Sequence, residues 1–393
     1  MTVKAEVLDS SINWLTKTGI YNNDESNKMA YGGFNAYYDE RRKRYPFVYT
    51  EITAYAIQLF LYLFRKFRDK FYLERAKRSA DWLLNVAKSG GKNIRVRGSF
   101  LMGYDLLKKR MIPKAYSFDN GICLSALLNI YGETENQRYY QSAREVGSWL
   151  INVMQKSDGS FKPLYDTQRG SYPTNPKNWF EAPGSFHSKI ALGLLKLWEV
   201  TENSKYLDSA RKLCCWTLTQ QKVNGQYSSN ISSDETNTHA HCYTIEGLLY
   251  AFAKLGNDDF LKSAIRAAEW LINAQCSDGG LYQVYKNNWH NRIRLTYAAS
   301  QAIRVWILLY ELTGERKFYD AAIRSLHFVL GMQSENRRDA NAYGGFHDFT
   351  KRFVVEMKSS TISAWTTIFT IQALLMFEDV DSKNFEEAVN DLF

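Results

Sequence analysis

His239 and Tyr243 stand four residues apart, so on a helix they share a face, and an imidazole beside a phenol can pass a proton. Similar polar openings precede other apolar helical runs. They read Tyr49-Thr50-Glu51-Ile52-Thr53-Ala54-Tyr55, Ser117-Phe118-Asp119-Asn120-Gly121, GSFHSK over 184–189, and WHNRIRLTY over 289–297. Glu51 and Asp119 are candidate acids or bases, and each also stands where it could cap a helix. Tyr297 is a candidate phenolic acid or base, with packing as its plain alternative. Arg292 and Arg294 could grip a carboxylate through two nitrogens, or lie in surface ion pairs. Trp289 and Trp365 could stack on sugar rings, and Tyr55, His187, His241 and Tyr343 complete a substrate-binding set. His241 and Cys242 beside His239 raise the question of a metal. No further cluster with zinc spacing accompanies them, and no phosphate-binding glycine loop occurs, so neither metal nor cofactor is expected.

These side chains must be positioned by something regular, and a repeat supplies it. Aromatics recur at Trp14, Trp82, Trp149, Trp216, Trp270 and Phe328 in segments with apolar residues at i, i+3, i+4 and i+7. More uniformly apolar helices precede five of them, at 52–64, 121–131, 189–200, 244–255 and 300–314. A sixth, 362–377, has no partner after it, and the first helix, Val7 to Lys17, has none before it. Pairing the two closes twelve helices into six hairpins, with apolar helices inside and amphipathic ones outside: an all-α (α/α)6 toroid over residues 1–378. Residues 379–393 form an acidic tail with helical spacing, read as docking on the outer ring or on a partner. The long connections 19–48, 88–117, 156–185, 221–238, 276–295 and 334–359 all fall on the face where the inner helices begin.

The chain has 393 residues, a formal charge of +9 and 45% hydrophobic residues, which excludes a disordered protein. No apolar run of about eighteen residues occurs, so no transmembrane segment is expected. The start lacks the pattern of a secretory signal, and five cysteines make an odd count, so a reduced, cytoplasmic protein is expected. Basic residues cluster at Arg41–Arg44 and between Lys88 and Lys114, where eight Lys or Arg, Lys92 among them, face one acid, Asp105. An anionic ligand suits such clusters. Nucleic acid does not, because no RNP-type, zinc-finger or helix-turn-helix pattern is present. The oligomeric state is not legible.

Turns of the form Q-x-x-D-G, as in MQKSDGSF and AQCSDGGL, resemble the repeats of terpene cyclases and protein prenyltransferases, which share a helical-toroid plan. The openings Tyr-x-Glu-x-Thr-x-Tyr, Phe-Asp-x-Gly and Thr-His-x-x-x-Tyr-Thr-Ile-x-Gly-Leu-Leu, with these turns, resemble the toroidal family related to the C-terminal domain of D-glucuronyl C5-epimerases. Its members are common among prokaryotic surface-polysaccharide genes. Ala54 and Gln58 stand where members often carry Gly and Pro, and Glu246 where a basic residue is frequent. The resemblance implies an enzyme on uronate-containing polysaccharide or oligosaccharide, a C5-epimerase or lyase that takes the proton α to the carboxylate. Two alternatives share the scaffold: a glycoside hydrolase of the unsaturated-uronyl type, and a non-catalytic glycan-binding toroid.

Overall fold

The computed structural model describes residues 5–89, 95–173, 176, 178–287, 289–352 and 356–392; Lys92 of the second basic cluster lies outside them. The chain is an (α/α)6 toroid. Its outer ring is α1 (Ala5–Lys17), α3 (Lys70–Trp82), α5 (Gln137–Trp149), α7 (Ser204–Leu218), α9 (Asp258–Ala274) and α11 (Arg316–Leu330). Its inner ring is α2 (Thr50–Phe67), α4 (Ser117–Thr134), α6 (Ile190–Thr201), α8 (Thr238–Leu255), α10 (Thr296–Thr313) and α12 (Ala364–Glu378). The inner helices are buried around most of their circumference; α2 is buried at every position from Thr50 to Leu63. Outer helices bury one stripe, such as Phe260, Ser263, Ala264, Ala267, Ala268 and Leu271 of α9. Within hairpins the turn is tight. Inner helices end on left-handed residues (Arg68, Glu135, Glu202, Gly256), and the next residue, Asp69, Asn136, Asn203 or Asn257, caps the outer helix through its side chain.

Six loop glycines make the sixfold order visible. Gly32, Gly98, Gly159, Gly225, Gly279 and Gly344 all have φ between 85 and 92°. Each lies against the next outer helix, where an added Cβ would meet residue 78, 145, 212, 266, 324 or 10 in turn at 3.0 Å or less. A residue with a Cβ would be strained by that conformation and would clash at that approach. The last contact, Gly344 on Ser10, closes the ring, as does the pairing of strand Tyr37–Asp39 with Thr361–Ser363. The glutamines of the turns act as staples: Gln155 Nε2 donates to Ser209 O at 3.0 Å and Gln221 Nε2 to Ser263 O at 2.8 Å.

Two features differ from the sequence reading. The long connections carry short antiparallel strands, including Phe47–Tyr49 paired with Gly103–Asp105 and Ile293–Leu295 paired with Phe349–Arg352. Two to four residues are too few for an alternation signal. The tail contains a further helix, α13 (Phe385–Asn390), which packs on the inner helices α8 and α10, not on the outer ring. Phe385 meets Phe252, and Gln372 Nε2 donates to Asp391 O at 2.5 Å. No helix among the described residues is long and apolar enough to cross a membrane.

Candidate active site

At the face where the inner helices begin, their first turns and the strand-bearing loops enclose a cavity of about 430 Å³, within the roughly 300–1,000 Å³ usual for small-ligand sites. Its walls are largely aromatic: Tyr37, Phe47, Tyr49, Tyr116, Phe118, Trp179, Phe180, Phe186, Tyr297 and Trp365. Polar groups converge between them, with Glu51 from α2, Asp119 from α4, His239 and Tyr243 from α8, and Gln283 and Asp348 from loops. Among the described residues the lining contains no Lys or Arg.

Glu51 and Asp119 are each 4% exposed. Burial pushes the Glu51 carboxyl above its ordinary range, against the hydrogen-bonding side chains of Tyr49, Trp365 and Tyr243 and the charge of Lys189. Burial and then the charge of Glu51 raise Asp119 well above its own range. Two carboxyls in one desolvated space resist carrying two charges at once. Tyr243 donates to Glu51 Oε1 at 3.4 Å, while Asp119 Oδ2 is buried without a hydrogen-bond partner.

His239 sits across the ring from α2. Its ring lies 4.3 Å from Tyr243 and 4.7 Å from Tyr297. Its Nδ1 pairs with Gln301 Oε1 on α10. The Gln301 amide is oriented by its other end, where Nε2 donates to Glu246 Oε2 at 3.5 Å. With the amide oxygen turned to His239, Nδ1 carries the proton and Nε2 keeps its lone pair. Burial depresses the imidazole to about 3, helped by the charges of Lys189 and Arg304, so the neutral form persists at physiological pH. Below lies a fully buried ionic triad. Lys189 Nζ is 2.5 Å from Glu246 Oε2, and Arg304 pairs with Glu246 Oε1 and with Gln372. Lys189 is also within 5.4 Å of the ring centres of Tyr55 and Tyr243.

The cavity thus brings together Glu51, Asp119, His239, Tyr243, Tyr297 and Trp365 of the residues expected from the sequence. It does not bring in the others. His241, two residues from His239, points to the opposite side of α8 at 100° per residue. There it faces the outer ring, with Nε2 3.0 Å from Ala267 O. Tyr55 lies one turn deeper than Glu51, and His187 is buried with its Nδ1 at the Gly184 backbone. Arg294 alternates away from the cavity on its strand, pairs with Asp278 and Glu356, and lies over Phe328. Arg292 is exposed, Trp289 is 58% exposed, and Tyr343 lies beside Arg337 on an outer groove near α1. The expected carboxylate clamp is therefore not assembled here. Gln301, Asp348, Lys189 and Arg304 were not assigned from the sequence. Gln301, four residues after Tyr297, was accessible through helical spacing. Asp348 is held by Ser363 and Thr366 from a distant helix start, which no local pattern announces. No group of three or more His, Cys, Asp or Glu among the described residues could hold a metal.

Residues 228–327, which carry His239, Tyr243 and Gln301, match the family model described as pectic acid lyase. Comparison with solved structures finds (α/α)6 toroids across nearly the whole chain. Cellobiose 2-epimerase from Bacillus thermoamylovorans superposes with a TM-score of 0.74 at 14% identity, covering 96% of this chain and 100% of that one. A D-mannose isomerase gives 0.70 at 12% identity, with 96% and 98% covered. An unsaturated glucuronyl hydrolase specific for heparin gives 0.67 at 13% identity, with 97% and 98% covered. No curated protein matches the sequence. At these identities the likeness is one of fold.

Proposed function

We propose that the chain is a carbohydrate-active enzyme that moves a proton at a sugar carbon beside a carbonyl, as an epimerase or isomerase does. The observation that carries this is the contact of His239 Nδ1 with Gln301 Oε1, which leaves Nε2 free to act as a base on a ring that burial keeps neutral. The Glu51–Asp119 pair, supplied from the other side of the ring, offers the proton for return to the opposite face. Tyr243 links the two sides and can donate to the oxygen on which charge develops. The reaction classes named for two structural neighbours, an epimerase and an isomerase, are of this kind. An ionised uronate in the cavity would face Glu51, Asp119 and Asp348 with no cation among the described lining residues, so the reacting sugar is uncharged. Five free cysteines fit a reducing compartment, and we place the enzyme in the cytoplasm.

A second reading, glycoside hydrolysis, is favoured by the unpartnered Asp119 Oδ2. A protonated carboxyl beside a second carboxyl is what acid–base attack on a glycosidic bond needs. NMR in D₂O with cello- and manno-oligosaccharides, polygalacturonate and unsaturated uronyl oligosaccharides separates the readings. Deuterium entering a ring carbon without cleavage is expected. Cleavage without exchange and without new C4–C5 unsaturated ends would establish the hydrolase. An unchanged panel would refute both and leave glycan binding.

A further inference from the structure

The clusters Arg41–Arg44 and Lys108–Arg110 take no part in the cavity, yet the strand register places them together. Phe47 pairs with Asp105 and Tyr49 with Gly103, so the 39–44 turn and the 105–110 turn project from the same end of one small sheet. The strand Phe47–Tyr49 of that sheet lines the cavity with Phe47 and Tyr49. All seven cations are exposed. Three have acidic partners: Arg42 with Asp39, Lys43 with Asp339 and Lys108 with Asp105. Arg41, Arg44, Lys109 and Arg110 have no ion pair among the described residues. Five residues separate Tyr49 from Arg44, a reach of at most about 16 Å at about 3.3 Å per residue, and neighbouring strands lie about 4.8 Å apart.

We propose that these two turns form a cationic rim that holds the anionic part of a saccharide chain whose uncharged end sits in the cavity. This rests on the saccharide reading above and deepens it, dividing the substrate into a neutral reacting unit and acidic sugars outside. Desolvation forbids an unpaired carboxylate among Glu51, Asp119 and Asp348, whereas solvated Arg and Lys at the tips pair with carboxylate or sulfate at little cost. A chain leaving the cavity over Phe47 and Tyr49 must cross the rim. A duplex nucleic acid gains nothing from the cavity, and the turns offer it no exposed aromatic ring for stacking.

The test uses the full chain and calorimetric binding of galacturonate oligosaccharides whose terminal unit is a neutral galactose, against the same oligosaccharides fully methyl-esterified. The acidic form is expected to bind at least about tenfold more tightly at low salt, and that difference to vanish as salt screens it. The variant Arg41→Ser/Arg44→Ser/Lys109→Ser/Arg110→Ser is expected to lose the difference, with thermal melting unchanged. Equal binding of both forms, or an undiminished difference in the variant, would overturn the rim. So would tighter binding of a DNA duplex or of phosphatidylserine vesicles. Failure is separable from failure of the saccharide reading: turnover of neutral oligosaccharides without charge preference removes the rim alone, and charge-dependent binding without chemistry on any sugar removes the reaction alone.

Discussion

Replacing Gln301 by Leu tests the central claim, that an amide buried outside the cavity sets the protonation of the base. Gln301 Oε1 is the acceptor for His239 Nδ1, and Gln301 is itself fully buried. With Leu there, the Nδ1–H loses its acceptor, and leaving a buried donor unsatisfied costs about 1–3 kcal/mol. The ring escapes that cost by moving its proton to Nε2, which turns the base into a donor toward the substrate. At about 1.4 kcal/mol per tenfold, the reactive tautomer is depleted about 5- to 160-fold. The expected result is a loss of that size in the rate of deuterium wash-in at the sugar carbon. KM should change little, because Gln301 does not line the cavity. Gln301→Glu is the counterpart. A carboxylate at this position raises His239 from about 3 and adds an acid limb to the pH profile that the wild type lacks in the same range. Wild-type wash-in by a folded Gln301→Leu protein at every pH would refute His239 as a base oriented in this way.

Glu246→Gln leaves Lys189 and Arg304 buried without their anion, and breaking such a group costs about 3–5 kcal/mol. For 393 residues that lowers the melting temperature by about 4–6 °C, read by calorimetry. Asp119→Asn removes a carboxyl whose folded value is raised. In the wild type, Asp119 contributes most below its unfolded value near 3.8, and that contribution is lost as pH rises toward the folded one. The variant's melting temperature should therefore gain on the wild type's as pH rises above about 4, while exchange activity falls at least about a hundredfold. The wild-type rate should show no acid limb from His239 between about pH 5 and 8, and an alkaline decline as the second of the two carboxyls ionises.

The ring was legible because it repeats. Each hairpin restates the same apolar helix and Gly turn, and four of them the same Asn or Asp cap, so a residue or two of drift at one boundary is corrected by the others. The helix starts that face the mouth followed from that register, and Glu51, Asp119, His239 and Tyr243 with them. Faces were less legible. His239 and His241 read alike in sequence, yet two residues of helix separate cavity from outer ring. Arg294 and Leu295 are neighbours on a strand too short to show alternation, and only Leu295 reaches the cavity. Partners on neighbouring elements, such as Gln301 for His239 or Ser363 for Asp348, depend on how those elements pack, which no local window contains.

Glu246 shows why the departures from local rule gather here. A carboxylate in mid-helix among leucines breaks the apolar pattern of α8, and with Lys189 and Arg304 it buries three charges that hydrophobic residues could replace at no loss of stability. Two cations to one anion leave a positive surplus beneath the cavity, and that surplus acts on both reacting groups. It disfavours protonation of His239, and the charge of Lys189 opposes the upward shift of Glu51, while Asp119 has no such help and keeps its proton. The same field therefore keeps the His239 lone pair unprotonated beside carboxyls that burial raises, in one small dry space. Lys189→Met removes one of the two cations. It should raise Glu51 further and move the alkaline decline of the exchange rate upward in pH. An unmoved profile in a folded Lys189→Met protein would show that the triad only supports the helices.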